Sequence, residues 1–364
     1  MNPTAASLCS AAASYRERWT DHQRVLEDDE VRTVVRWTVT TFAIALVLLI
    51  VATPLPATQQ AGKVYRIGVM TITSTLSPEG LRIWNAFSDG LREFGYVEAK
   101  NIVFEWRYSE GRAERFPELA GELVGLKVDL ILVVTTPAAL AAKAATSTIP
   151  ILFVTAIDPV GAGLATSLAR PGGNVTGLTT LSPELSAKRL ELLKELVPRV
   201  ARVGVLWNTT NPANALVLRQ MDEAGRQLGV VLQSYGVRAP DDFESTFAKI
   251  VQQRPGALLV LADAMMFRHR DQIAKFALQA RLPSIFEARE MTVAGGLMSY
   301  GSSYPELFRR AAFYVDRLLR GVRPADLPFE QPSKFEFVLN MKTARALGLT
   351  IPPALRVRAD ELIE

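Results

Sequence analysis

Cysteine is nearly absent from this chain: Cys9 is the only one in 364 residues. Histidine is almost as scarce, with His22 and His269 alone. Past residue 60 that inventory excludes a Cys/His zinc cluster and a Cys nucleophile paired with a nearby His. Also missing are GxSxG, a GxGxxG after the opening strand, a P-loop and metal-ligand spacing, so the residues point to no enzyme, no metal and no cofactor. Charge of one sign is lacking too. The 41 basic and 37 acidic residues leave +4 and are dispersed, without the clustered Lys and Arg of a nucleic-acid surface.

One long apolar run is present, at residues 37–52 (WTVTTFAIALVLLIVA). Arg32 and Arg36 precede it and Thr53-Pro54-Leu55-Pro56-Ala57 follows, which is the layout of a secretory signal peptide over 31–57. The run is somewhat short of the ~20 residues a membrane span needs. Cleavage after Ala57 is expected, and an uncleaved anchor is the alternative. Residues 1–30 are polar and end in Glu27-Asp28-Asp29-Glu30; they read as a disordered leader, or as an upstream start ahead of a basic one at Val31. Cleavage would remove Cys9, and no Cys follows the run to carry a lipid, so a soluble exported protein is favoured.

What organises the remainder is residues 128–142 (VDLILVVTTPAALAA). Its apolar half suits a strand covered on both faces, as in a parallel sheet. Thr136 can cap the helix that follows, with Pro137 at the first helical position, leaving free N–H groups at a strand's carboxyl end, where open α/β sheets bind ligands. Around it, strands at 63–70, 101–108, 149–155 and 175–181 alternate with helices opening at Ser77-Pro78, Phe116 and Asp158-Pro159, the last running to about Leu168. Five alternations predict one lobe with a parallel sheet.

A second lobe repeats the first. Arg66-Ile67-Gly68-Val69-Met70 and Arg202-Val203-Gly204-Val205-Leu206 open the two halves in the same way. The first lobe spans 58–182 and the second 183–328, the latter containing helices at 267–280 and 305–319; residues 329–364 read as a return crossing between lobes and a tail. Five junctions carry a capping residue before proline: Ser77, Thr136, Asp158, Ser182 and Asn211. If both sheets face one cleft, helix N-termini converge there and can hold an anion such as a carboxylate. Each is equally an ordinary cap.

With TTPAA at 135–139 and AIDPVGAGL at 156–164, the segment ARPGGNVTGLT at 169–179 resembles the periplasmic substrate-binding proteins of ABC transporters, in the branch that includes tryptophan and other aromatic amino-acid binders. The likeness covers residues 63–358. It implies two Rossmann-like α/β lobes, each a parallel sheet flanked by helices, hinge-linked as in type I periplasmic binding proteins. It further implies a periplasmic monomer that takes a small, carboxylate-bearing ligand between its lobes and presents the closed form to the transmembrane subunits of an ABC permease. A membrane-anchored ligand sensor is the rival reading.

Carried over by position, Thr135, Thr136, Pro137 and Ala138 match the turn that holds a ligand carboxylate, and Asp158 opens the next helix at the cleft edge. Thr73 and Ser74 complete the first-lobe rim. In the second lobe Asn208, Asn211 and Asn214 match the polar turn after its first strand. Asp263, Glu287, Tyr300 and Gly301 follow or end later strands. Asp263 and Glu287 are equally readable as solvated loop carboxylates, and Tyr300 as core. His269, between two arginines, reads as solvated surface.

Overall fold

The computed structural model describes residues 63–72 and 77–364. The expected leader at 1–30, the export segment at 31–57, and the turn with Thr73 and Ser74 lie outside the described residues.

Five short apolar stretches build the first sheet: β1 (Tyr65–Thr71), β2 (Ile102–Tyr108), β3 (Leu130–Val133), β4 (Ile151–Ala156) and β5 (Val175–Thr179). All pair in parallel, in the order β2-β1-β3-β4-β5. Every residue of β3 is buried because both faces are covered. On one face lie α2 (Phe116–Gly125) and α3 (Thr136–Ala145), which set Leu119, Leu123, Ala138 and Ala142 against Ile131 and Val133. On the other lies α1 (Pro78–Glu93), capped by Ser77, whose Oγ accepts from the Gly80 N–H; Phe87 and Leu91 face Ile67 and Leu130.

The second sheet begins after α4 (Ser182–Leu196), with β6 (Arg202–Asn208), α5 (Pro212–Gln227), β7 (Val231–Val237), α6 (Phe243–Gln253) and β8 (Ala257–Val260). It continues through α7 (Ala264–Arg268), α8 (Arg270–Gln279), β9 (Ser284–Phe286), α9 (Arg289–Val293) and β10 (Met298–Ser302). Counted from its edge, β7-β6-β8-β9-β10 has the strand order of the first sheet. The repeated glycines occupy equivalent strands and serve the same need: a Cβ on Gly68 would sit 2.8 Å from Leu123, and one on Gly204 2.9 Å from Tyr235. After α10 (Tyr304–Leu319), β11 (Phe335–Asn340) joins β10 antiparallel. α11 (Met341–Ala346), α12 (Pro353–Arg358) and β12 (Glu361–Ile363) finish the chain.

Three sequence expectations are corrected. First, residues 158–168 form turns rather than a helix: Gly161 and Gly163, the latter at φ +71°, break any continuation, and the Asp158 carboxylate only accepts from the Gly161 N–H at 2.8 Å. Second, the helix expected over 267–280 is two helices broken at His269. That ring is half-buried, its centroid 4.9 Å from Phe243, and burial pushes its imidazole down, so it is not solvated surface.

Third, α10 leaves the second lobe. Leu307, Ala311, Val315 and Leu318 pack with Phe87 and Leu91 on the first sheet. The chain therefore crosses three times: at Thr180-Leu181, at Ser302-Ser303, and between Glu330, which bridges to Leu178, and β11. A boundary after 182 assigns α10 to the wrong sheet, and the return crossing is confined to residues 331–334, with the rest of the tail on the second sheet.

Candidate functional site

In both sheets the strand order reverses beside the first strand, at β1/β3 and β6/β8, and open α/β sheets bind ligands outside the carboxyl ends at such a point. The two switch points face one cavity of about 300 Å³ between the lobes. It has three chemically different walls.

The first wall is hydroxyl-rich. Thr135, not Thr136, caps α3: it is extended, and its Oγ1 accepts from the Ala138 N–H at 3.2 Å. Thr136 becomes the first helical residue, 1% exposed, and its Oγ1 has no hydrogen-bond partner within the protein. A buried hydroxyl left unpaired is costly, so one that borders a cavity at a helix start is set for an acceptor from outside.

The second wall is acidic. Asp263 caps α7 and is saturated: Asn208 Nδ2 donates at 3.1 Å, Asn211 Nδ2 at 2.8 Å and the Met265 N–H at 2.8 Å. Burial raises its carboxyl, and these donors pull it back down. Glu287, after β9, is 5% exposed and accepts from Tyr304 Oη, the first residue of α10. Burial pushes it up to about 7, with Arg189 and Tyr304 opposing. It retains acceptor capacity for a cation.

Aromatic side chains form the third wall. Trp84 on α1 and Trp106 on β2 meet edge to face at 4.5 Å, Phe308 borders them, and Phe267 lies 5.5 Å from Tyr304. The periodicity of α1 marks Trp84 as apolar face, which is also how core looks. Position alone does not distinguish a cleft wall from core. Arg189 is equally hidden in the sequence. An arginine on an amphipathic helix reads as surface, yet this one is 1% exposed, with Nε donating to the Tyr300 carbonyl at 2.7 Å and Nη1 to Ser186 Oγ at 3.0 Å.

Of the residues singled out from sequence, Thr135, Thr136, Asn211, Asp263 and Glu287 line the cavity together. Asn208 stands behind Asp263. Pro137 and Ala138 lie within α3 away from the lining, and Asp158 holds its own turn. Asn214 is fully buried with neither amide atom paired, off the lining. The Tyr300 ring packs 6.1 Å from Phe335, and Gly301 presses on the Glu287 carbonyl so closely that a Cβ would lie 1.8 Å from it. These two shape the strand behind Glu287 rather than the cavity. Among the described residues, no group of three His, Cys, Asp or Glu is placed to hold a metal.

The lobes are drawn together over the cavity. Arg270 donates to Glu79 at 2.8 Å, and Arg82 pairs with Glu290, so α1 of the first lobe is tied twice to the second.

The chain is 28% identical over 264 residues to the tyrosine-binding protein of Clostridioides difficile (strain R20291), covering 72% of this chain and 75% of that one. It resembles the structure of an ABC domain in complex with L-Trp from Streptococcus pneumonia, with 27% identity, TM-score 0.76, and coverage of 83% of this chain and 100% of that one. It is less close, at 25% identity and TM-score 0.58, to the ligand-free, open structure of a Clostridium difficile substrate binding protein with adhesive properties; coverage there is 83% and 99%. The family model for ABC transporter substrate binding proteins matches residues 66–363, and this chain, a binder and not an enzyme, belongs to that family.

Proposed function

We propose that the chain captures one zwitterionic amino acid with an aromatic or large apolar side chain and passes it to an ABC permease. The observation that carries this reading is the opposed polarity of two walls: an unpaired Thr136 hydroxyl at a helix start on one lobe and Glu287 on the other. A carboxylate suits the first and an ammonium the second. The Trp84 and Trp106 wall accepts the side chain, and about 300 Å³ lies at the small end of ligand pockets. The tyrosine and L-Trp named for two relatives support the same class. Because the ligand touches both lobes, it stabilises the closed form selectively, which is what a transporter can recognise. Export through the 31–57 segment and action outside the cytoplasm as a monomer belong to this reading. Among the described residues no helix is long and apolar enough to cross a membrane.

Calorimetric titration with L-tryptophan, L-tyrosine, L-phenylalanine, L-leucine, a sugar and a nucleoside tests it. The expected result is binding by the amino acids alone, weakened at least tenfold by Thr136→Val. At 100 times the dissociation constant the ligand adds about 2.7 kcal/mol of apparent stability, a readable thermal shift. Binding of the sugar or nucleoside, with none of the amino acids, overturns the reading.

A further inference from the structure

Resting on the amino-acid reading, we propose that Arg189 is a positioning residue for the ligand's ammonium group: from behind the cleft, without touching the Glu287 side chain, its buried positive charge favours the carboxylate form of Glu287 that the ammonium meets. Arg189 rises from α4, directly after the first crossing, and ends among β9, β10 and the start of α10. Two of its nitrogens are fixed, by the Tyr300 carbonyl and by Ser186 Oγ. It forms no direct ion pair among the described residues, and the carboxylate that acts on it is that of Glu287. A guanidinium this deeply buried is costly without a counter-charge, and it stays charged wherever it is put. Its field therefore falls on Glu287.

The groups facing Glu287 make that field necessary. The Asp263 carboxylate at the start of α7 repels its charge, while the Asp263 N–H and Tyr304 at the start of α10 donate to it. Glu290 of α9 acts on Tyr304, and Tyr300 of β10 on Arg189. Burial already favours the neutral acid. With Arg189 gone, burial and the Asp263 charge would outweigh the remaining donors, Tyr304 and the Asp263 N–H, and leave Glu287 protonated at neutral pH, and a neutral acid offers an ammonium little. Gly301 belongs to the same device, since its missing Cβ leaves room for the Glu287 carbonyl and the Arg189 guanidinium, 3.5 Å from where that carbon would be.

The test compares L-tryptophan with 3-indolepropionate, which lacks only the ammonium, across pH 5.5 to 9. In the native chain, L-tryptophan binding should weaken as pH falls through Glu287's titration, and 3-indolepropionate should show no such loss. In Arg189→Gln, L-tryptophan affinity at pH 7.5 should fall about tenfold or more and the midpoint should move up by about one unit or more, with 3-indolepropionate little changed. Arg189→Lys should keep most of both properties, and it carries the comparison if Arg189→Gln does not fold. Equal weakening of both probes with an unmoved midpoint means a structural role only and overturns the proposal.

A ligand-free measurement separates this from the amino-acid reading. Carbon NMR titration of Glu-labelled full chain, with Glu287 assigned by its loss in Glu287→Gln, should show its midpoint rising in the Arg189 variants. An unmoved midpoint overturns the proposal even if L-tryptophan binds. If no amino acid binds the native chain, the ammonium role falls with the function, whatever the titration shows.

Discussion

Asp263 and Glu287 show the two ways a buried acid is managed. Asp263 is surrounded by three donors and behaves as a structural cap, so its removal would strand the amides of Asn208 and Asn211. Glu287 is left with less, and burial raises it from the ordinary 4.5 to about 7. Since the folded-state value lies above the unfolded one, the native chain binds this proton more tightly. The stability linked to Glu287 is fully present below pH 4.5 and is lost as pH rises through 7. A gap of this size corresponds to about 3 kcal/mol. Glu287→Gln mimics the protonated form, so without ligand it should melt several degrees higher than the native chain at pH 8 and no higher at pH 4. Calorimetric scans at the two pH values decide this. A variant that melts lower than the native chain at pH 8 would show that the charged form is the comfortable one.

Elements follow the same logic of fit. The strands are legible because parallel, doubly covered strands must be short and apolar, and 128–134 is both. Of the five residues of the cavity that sequence identifies, Thr136 and Asn211 are legible as helix starts at the carboxyl ends of strands, where open α/β sheets bind ligands, whereas Thr135, Asp263 and Glu287 come from the family resemblance. The placement of α10 is not legible. Its stripe of Leu307, Ala311, Val315 and Leu318 would cover either sheet, and the choice is made by the crossing at Ser302-Ser303 and by the small surface of α1. That surface centres on Gly90, where a Cβ would lie 2.8 Å from the Arg309 carbonyl and 2.9 Å from Ala312 Cβ. Backbone cannot move aside as a flexible side chain does. Gly90→Val should push α10 off α1 and cost about 1–3 kcal/mol, the range for overpacking. Because α10 also carries Tyr304 and Phe308 into the cavity, ligand affinity should fall with it. Denaturant melts and a titration check this. Unchanged stability would mean that the two helices do not meet at Gly90.

At the scale of the whole molecule, three crossings tie the lobes into one hinge while leaving the cleft free to open on its far side. Closure is then a balance in which any contact between lobes counts, whether or not it touches ligand. Arg82 is the informative contact because it lines no wall of the cavity. It stands between Glu290, which is 2% exposed, and the half-buried Glu336, whose carboxyl is raised by burial and by Glu290 and is lowered by Arg82. When the cleft opens, water solvates both acids. When it closes, Arg82 comes in from the other lobe to add its charge to that of Arg289, which already faces both acids. Arg82→Glu therefore acts on the closed state alone, and a half-exposed pair of this kind is worth about 1 kcal/mol, or roughly fivefold in apparent affinity through the fraction of closed protein. The swap Arg82→Glu with Glu290→Arg should recover most of that loss, and raising the salt concentration should weaken the native chain toward the single variant. Small-angle scattering of ligand-free protein should report a larger radius of gyration for Arg82→Glu, returning to the native value under saturating L-tryptophan. If the single variant binds as tightly as the native chain and scatters identically, the charge pair is a passive neighbour of the hinge, and closure is governed by the cavity walls alone.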